Sequence, residues 1–167
     1  MAFDAFLKID GIDGESVDSN HSKWIELESC SWGVAQAGAG AGGGGGGGAG
    51  KVNVQDFSFV KKTDSASPLL FQKCCAGTHF VKVELACRKA GDTAGAPQQA
   101  DFMTIDFSDV ILSSYNQGGN IATDQQPIES ISFNFQKIEM SVASPPDASG
   151  PIKPVTGGWD LKKNHAV

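Results

Sequence analysis

The chain has 167 residues, of which 40% are hydrophobic and 19% are charged, a composition typical of a folded globular protein. Its formal net charge is −6, with thirteen Lys and Arg spread among nineteen acids. Because nucleic-acid binding relies on a basic patch, we expect no nucleic-acid partner. No apolar run approaches the ~20 residues of a membrane-spanning helix, so we also expect no membrane partner. The length favours one domain over residues 1–167.

Strand signals dominate the chain from its start. Residues 3–9 and 80–88 alternate apolar and polar side chains, as half-buried strands do. Since side chains alternate with a period of two, one extra residue reverses the buried face unless a β-bulge absorbs it. Repeated bulges bend strands, as a closing barrel requires, and they predict a β-barrel. Such a change of phase occurs midway through four segments, 25–34, 52–59, 103–112 and 131–142.

One short helix is predicted within this β-rich chain. Ser67 is placed at its N-cap, Pro68 at the first helical position and Gly77 at its end. The Pro-rich stretch 145–154 indicates a surface connection rather than a domain linker, and a last strand is predicted around Trp159.

Ten of the 21 glycines lie between Gly38 and Gly50. They formally match G-x-G-x-x-G and nearly match a P-loop, which raises a nucleotide-binding interpretation. That interpretation fails on mechanism, because Val52 stands where a P-loop needs a hydroxyl for Mg²⁺ and a strand follows instead of a helix. A structural insert in an elongated hairpin connection is the favoured interpretation.

Sites for metals, cofactors and catalysis are not indicated. The three histidines are far apart, and Cys74-Cys75 is a vicinal pair rather than the C-x₂-C spacing of a zinc site, so we expect these helical cysteines to pack as small hydrophobes. The stretch from Asp10 to Asp18 does not fit an EF-hand and is interpreted as an exposed acidic loop. Neither G-x-S-x-G nor H-E-x-x-H is present. We predict no metal, no cofactor and no enzyme; a hydrolase assembled from distant residues is a weaker alternative.

The first residues carry neither a basic n-region nor a sustained apolar segment, so no secretory signal is predicted. We therefore expect the chain to begin in the cytoplasm, where its four cysteines are free thiols.

Several motifs together carry a family resemblance that spans the chain from Phe3 to about Asn164. With them the chain resembles the Hcp family, the tube proteins of bacterial type VI secretion systems. These motifs are Phe6-Leu7-Lys8-Ile9, Gly14-Glu15-Ser16 with Asp18, Ser31-Trp32-Gly33, the block from Lys51 to Phe59, and Gly158-Trp159.

The resemblance implies a two-sheet antiparallel β-barrel with one short flanking helix, of which six copies close into a ring. Rings stack into a hollow tube inside a contractile sheath, topped by a spike protein, and contraction expels the tube from the cell without a signal peptide. Small effector proteins travel in the lumen. A small polar residue that matches Ser31 faces the lumen in the family, whereas strand alternation alone favours Ser31 as an ordinary surface residue.

For the glycine-rich loop we predict a contact with a neighbouring subunit or ring. Ordering ten glycines costs on the order of 10 kcal/mol, so we expect the loop to be mobile in isolated subunits and ordered only when packed. The alternative from another class is a monomeric β-barrel that binds a small molecule or peptide at its mouth. The residues assigned to the subunit contact are Gly38, Gly40, Gly42, Gly43, Gly44, Gly45, Gly46, Gly47, Gly48, Gly50 and Lys51.

Overall fold

The computed structural model describes residues 3–36, 51–89, 101–143 and 154–167. These residues form strands and one helix in the following order: β1 Phe3–Ile9, β2 Ile25–Leu27, β3 Ser29–Ser31, β4 Val34–Ala35, β5 Asn53–Val54, β6 Phe57–Lys62, α1 Ser67–Ala76, β7 His79–Lys89, β8 Asp101–Gly118, β9 Ile128–Asn134, β10 Lys137–Ala143, β11 Pro154–Asp160 and β12 His165–Ala166.

The large sheet divides along β8, which is 18 residues long. One path runs β12-β11-β10-β8-β7-β1-β2, and β3, β6 and β9 join β8 as a second arm. All of these pairs are antiparallel, so the mainly β class with one helix is confirmed. The predicted closed barrel is not seen, because the described strands pair as a branched sheet. The two arms approach each other at Glu28, whose N–H donates to the Val60 carbonyl at 2.8 Å.

The predicted phase changes have two structural causes. In β8 the strand continues, Asp109 takes a positive φ of 51°, and the fully buried Phe107 and Val110 lie on either side of it. In the other three segments the chain breaks into separate strands where the phase changes, at Glu28, at Gln55-Asp56 and at Phe135-Gln136. The register of β8 with β7 runs unshifted across Asp109, from Phe80 opposite Val110 to Lys82 opposite Ser108, so the phase change in β8 follows from the backbone turn at Asp109 and not from a bulge. The bulge prediction is also wrong for the other three segments, where a strand end resets the alternation.

Phenylalanines fill the space between the two arms. Phe57, Phe59, Phe107 and Phe133 are each at most 1% exposed. The ring of Phe133 stacks on Phe57 with centroids 4.9 Å apart and meets the ring of Phe107 at 5.0 Å. Aromatic pairs at these distances add to the stabilisation that burial of the rings supplies. The space between the two arms is therefore a packed hydrophobic core around these four rings.

The helix begins at Ser67, so the prediction of Ser67 as N-cap is wrong by one residue. Ala66 holds that position without a side-chain cap. The Ser67 hydroxyl is engaged elsewhere, since it accepts from the Asp64 N–H at 3.0 Å. Gly77 ends the helix as predicted, with a φ of 60° that L side chains adopt at a cost.

Candidate functional site

A row of serines crosses four strands on the solvent side of the second arm. Ser31 of β3 pairs with Ser58 of β6, Ser58 pairs with Ser132 of β9, and Ser132 pairs with Ser114 of β8. The hydroxyl oxygens of Ser58 and Ser132 are 2.9 Å apart. The neighbouring residues in these strands, such as Phe57 and Phe133, point into the core. Alternation therefore turns Ser31, Ser58 and Ser132 outward. Ser114 joins the row through its pairing with Ser132, after the register shift that follows Leu112 in β8.

The next row on this face is uncharged as well. Ser29 pairs with Val60, Val60 with Ser130, and Ser130 with Asn116. We call the two rows together the serine face. Each hydroxyl can donate one hydrogen bond and accept two, so the two rows offer hydrogen bonds without a charged side chain of their own.

The outer face of the other arm is different, because it carries alternating charges. Glu139, Asp106 and Glu84 lie side by side on β10, β8 and β7. Lys82 bonds to Glu84 and lies 3.2 Å from Asp106, while Lys137 lies 3.1 Å from Glu139. This outer face also has a hydroxyl row, in which Ser141 lies between Thr104 and Thr156. The difference is that its hydroxyl row lies next to a charged row, whereas both rows of the serine face are free of charged side chains.

The predicted site residues are only partly within the described ranges. Ser31 is exposed, and its cross-strand partner Ser58 is half-buried. Gly38–Gly50 fall outside the described residues, whereas Lys51 is described and exposed. On either side of the glycines, β4 pairs with β5, with Ala35 opposite Asn53. The predicted hairpin connection is confirmed by this pairing.

A buried ionic cluster ties the loop after β1 to the sheet. The Nδ1 of His21 is 3.0 Å from Asp18, and its Nε2 is 3.1 Å from Asp101. Arg88 donates to Asp18 from the other side. Burial alone would raise the pKa of Asp18, but hydrogen bonds from Arg88, from the backbone and from His21 lower it to about 2. The prediction of an exposed acidic loop is therefore wrong for Asp18, which is charged, paired and largely enclosed.

Two further buried charges lie beneath the helix. Lys61 and Glu129 both have fully buried side chains, and the Lys61 Nζ is 2.9 Å from the Glu129 carboxylate. Nζ also lies 2.7 Å from Asp64 and donates to the Ser67 hydroxyl at 3.1 Å. Burial opposes ionisation of Glu129, but hydrogen bonds from Ser67 and Lys61 outweigh it and lower the pKa of Glu129. This network holds the first turn of α1 against β6 and β9.

The vicinal cysteines singled out in the sequence do not form a common site. Cys74 is half-buried and packs against the core as predicted, but Cys75 is exposed, because the two neighbours point to different sides of α1. Within residues 3–36, 51–89, 101–143 and 154–167, no group of His, Cys, Asp and Glu is arranged to hold a metal ion. In the same ranges, no helix has the length and apolar character needed to span a membrane.

An antiparallel β-rich fold with an outward, uncharged hydroxyl surface is typical of a structural or binding protein rather than of a particular chemistry. Comparison with known proteins identifies the family. Residues 6–142 match the family described as "Type VI secretion system effector, Hcp". The chain belongs to the Hcp family of type VI secretion proteins.

Individual relatives cover nearly the whole chain. The chain is 38% identical to "Protein hcp1" of Pseudomonas aeruginosa, with 98% of each sequence covered. The crystal structure of Hcp1 from Salmonella typhimurium matches with a TM-score of 0.80 and 30% identity, covering all of both chains. A type VI secretion system effector from Yersinia pestis matches with a TM-score of 0.74 and 32% identity, covering 94% of this chain and 99% of that one.

Proposed function

We propose that this chain is a structural tube subunit of a type VI secretion system. In this proposal six copies close into a ring, rings stack into a hollow tube, and sheath contraction expels the tube with effectors in its lumen. The chain has no catalytic role; its partners are further copies, a spike protein, a contractile sheath and small effector proteins. It assembles in the cytoplasm and is exported with the tube.

The observation that carries this proposal is family membership over the whole chain, at 38% identity across 98% of it. The fold supports it, since the packed phenylalanine core favours a building block over the alternative of a barrel with a ligand at its mouth. The experiment is size-exclusion chromatography with light scattering. A particle of about six times the 17.4 kDa chain mass is expected, with annular particles in negative stain. A 17.4 kDa particle at all concentrations would overturn the proposal.

We further propose that the serine face is the lumen wall and that Ser31 contacts effectors together with Ser58 and Ser132. The register supports this extension, because the three serines lie side by side and turn outward. A lumen wall without charged side chains would also exert no long-range attraction or repulsion on cargo during transit. The glycine-rich loop and Lys51 are assigned to contacts between subunits or rings.

A bulky side chain on this face should reduce cargo retention without changing the ring. Ser31→Gln and Ser58→Gln are each expected to lower the amount of effector protein that copurifies with tagged rings by about tenfold, since one lost, well-fitted contact of ~1.4 kcal/mol has that effect. Retained effectors are quantified by mass spectrometry, and ring mass by light scattering.

The matched control is Ser141→Gln. Ser141 forms an equivalent cross-strand hydroxyl pair with Thr156 at 2.8 Å, but on the other arm. Its substitution should leave retention unchanged. Equal retention by wild type, Ser31→Gln and Ser58→Gln would count against the serine face as the cargo surface.

A further inference from the structure

Two adjoining surface grooves lie beside β2 and share Glu26. The first, of about 350 Å³, is walled by Asp4, Asp18, Glu26 and Arg88. The second, of about 330 Å³, is walled by Glu15, Glu26, Glu28 and Asp64. Val17 belongs to both and is 94% exposed, so it forms an apolar ridge between them. We call this region the acidic groove.

Some of these acids are neutralised within the chain and others are not. Asp4 and Asp18 pair with Arg88, Glu28 pairs with Lys62, and Asp64 pairs with Lys61. Among the described residues, Glu15 and Glu26 have no cation within ion-pair distance. The acidic groove therefore keeps an excess of negative charge at Glu26, where its two parts meet, and at Glu15 at one end.

Arg88 supplies a second, independent indication of a missing ligand. The residue is 7% exposed and its guanidinium lies over the Phe6 ring at 5.2 Å. Its Nε is out of contact with solvent and has no acceptor among the described residues, so an external acceptor reaches it only when the Arg88 side chain shifts within the groove. Because a buried donor without an acceptor is costly, an incoming segment is favoured if it brings both a cation and a carbonyl or amide oxygen.

The same chain carries such a segment at the turn after β11. Lys162, Lys163 and Asn164 are all exposed there. Within the described residues, no carboxylate lies within ion-pair distance of either lysine. Asn164 adopts a positive φ of 55° and adds an amide oxygen next to the two amines. We call residues 161–165 the basic turn.

The acidic groove and the basic turn lie at opposite ends of one strand order. The groove borders β2, the last strand of the path, and the turn joins β11 to β12, the first strand. A closed ring needs two different surfaces that fit each other head to tail. Opposite charges at the two ends of the sheet meet this requirement.

We propose that the acidic groove of one subunit receives the basic turn of the next subunit around the ring. This proposal rests on the ring assembly proposed above and specifies its contact. Lys162 and Lys163 lie against Glu26 and Glu15, Asn164 faces the Arg88 Nε, and Val17 packs in the same interface. Since the pairs lie near the surface, ring stability falls as salt concentration rises.

The test uses the full-length chain with two charge-reversed variants. Glu15→Lys with Glu26→Lys makes both surfaces basic, and Lys162→Glu with Lys163→Glu makes both acidic. Each is expected to raise the concentration needed for half-assembly by about tenfold or more, because like charges then face each other. Light scattering measures the particle mass, and circular dichroism checks the fold. Asp10→Lys, which reverses an exposed charge that lines neither groove, should leave the ring mass unchanged.

Mixing the two reversed variants provides the decisive readout. Head-to-tail rings can then form only by alternation of the two variants, so the mixture should recover the ring mass although neither variant does alone. The chain that carries all four reversals should also assemble. This contact is overturned if the reversed variants assemble like wild type, or if the mixture and the fourfold variant both stay monomeric. In either case, rings formed by the wild-type chain leave the tube assignment standing. A wild-type chain that never forms rings would instead overturn the tube assignment.

Discussion

Lys61→Met is expected to lower the free energy of unfolding by about 3–5 kcal/mol, because it leaves a buried charge without its partner. Glu129 is fully buried and Lys61 is the cation that faces it, at 2.9 Å. Methionine fills a similar volume, so the loss reports the charge rather than a cavity. Chemical denaturation at neutral pH and one fixed chain concentration measures the effect, since assembly also stabilises the fold.

The control for this prediction is the next residue in the chain. Lys62 pairs with Glu28 at 3.4 Å, but both side chains are more than half exposed. Lys62→Met should therefore cost at most about 1 kcal/mol. Adding Glu129→Leu to Lys61→Met removes the unpaired charge and should recover part of the stability. Equal losses for Lys61→Met and Lys62→Met would contradict a stabilising role for the buried pair.

Lys61 also illustrates what the sequence could not predict. As one half of Lys61-Lys62, it belongs to one of the three adjacent basic pairs in the chain, and lysines are rarely fully buried unless they are paired. Alternation from Phe57 and Phe59 does place position 61 on the inward side. The partners that make this position tolerable come from β9 and from the start of α1, and only the fold brings them together.

The strand pattern predicted the β class, the helix and its glycine end, because these depend on local periodicity and capping. It did not predict the break at Glu28. The sequence pattern of Ile25, Leu27 and Cys30 indicates one strand that changes phase, whereas β2 pairs with β1 and β3 pairs with β6. A change of pairing partner and a bulge produce the same apolar pattern, so the sequence alone cannot separate them.

The candidate site was predictable only one residue at a time. Family resemblance pointed to Ser31, but Ser58, Ser114 and Ser132 come from three other strands. Each occurs in an ordinary outward position, and nothing local marks it as part of a row. Cross-strand register creates the serine face, because a slip of one residue in any strand would place a core side chain there instead.

Phe133→Ala should be about as damaging as Lys61→Met, for a different reason. The Phe133 ring is fully buried and contacts Phe57, Phe59, Phe107 and Phe135, with the two nearest centroids at 4.9 and 5.0 Å. Its truncation leaves a cavity that four neighbouring rings cannot fill without moving from their packed positions. A loss of about 3–5 kcal/mol in the free energy of unfolding is expected.

A matched truncation on the helix separates burial from the loss of an aromatic ring. Phe71 is 55% exposed and contacts only one ring among the described residues, that of Tyr115 at 5.8 Å. Phe71→Ala should therefore cost about 1 kcal/mol or less. Phe133 also directly follows Ser132, so collapse around the cavity would displace the serine face, and Phe133→Ala rings should retain less effector than Phe71→Ala rings. If both truncations cost the same stability, the core between the two arms is not the packed unit that its geometry indicates.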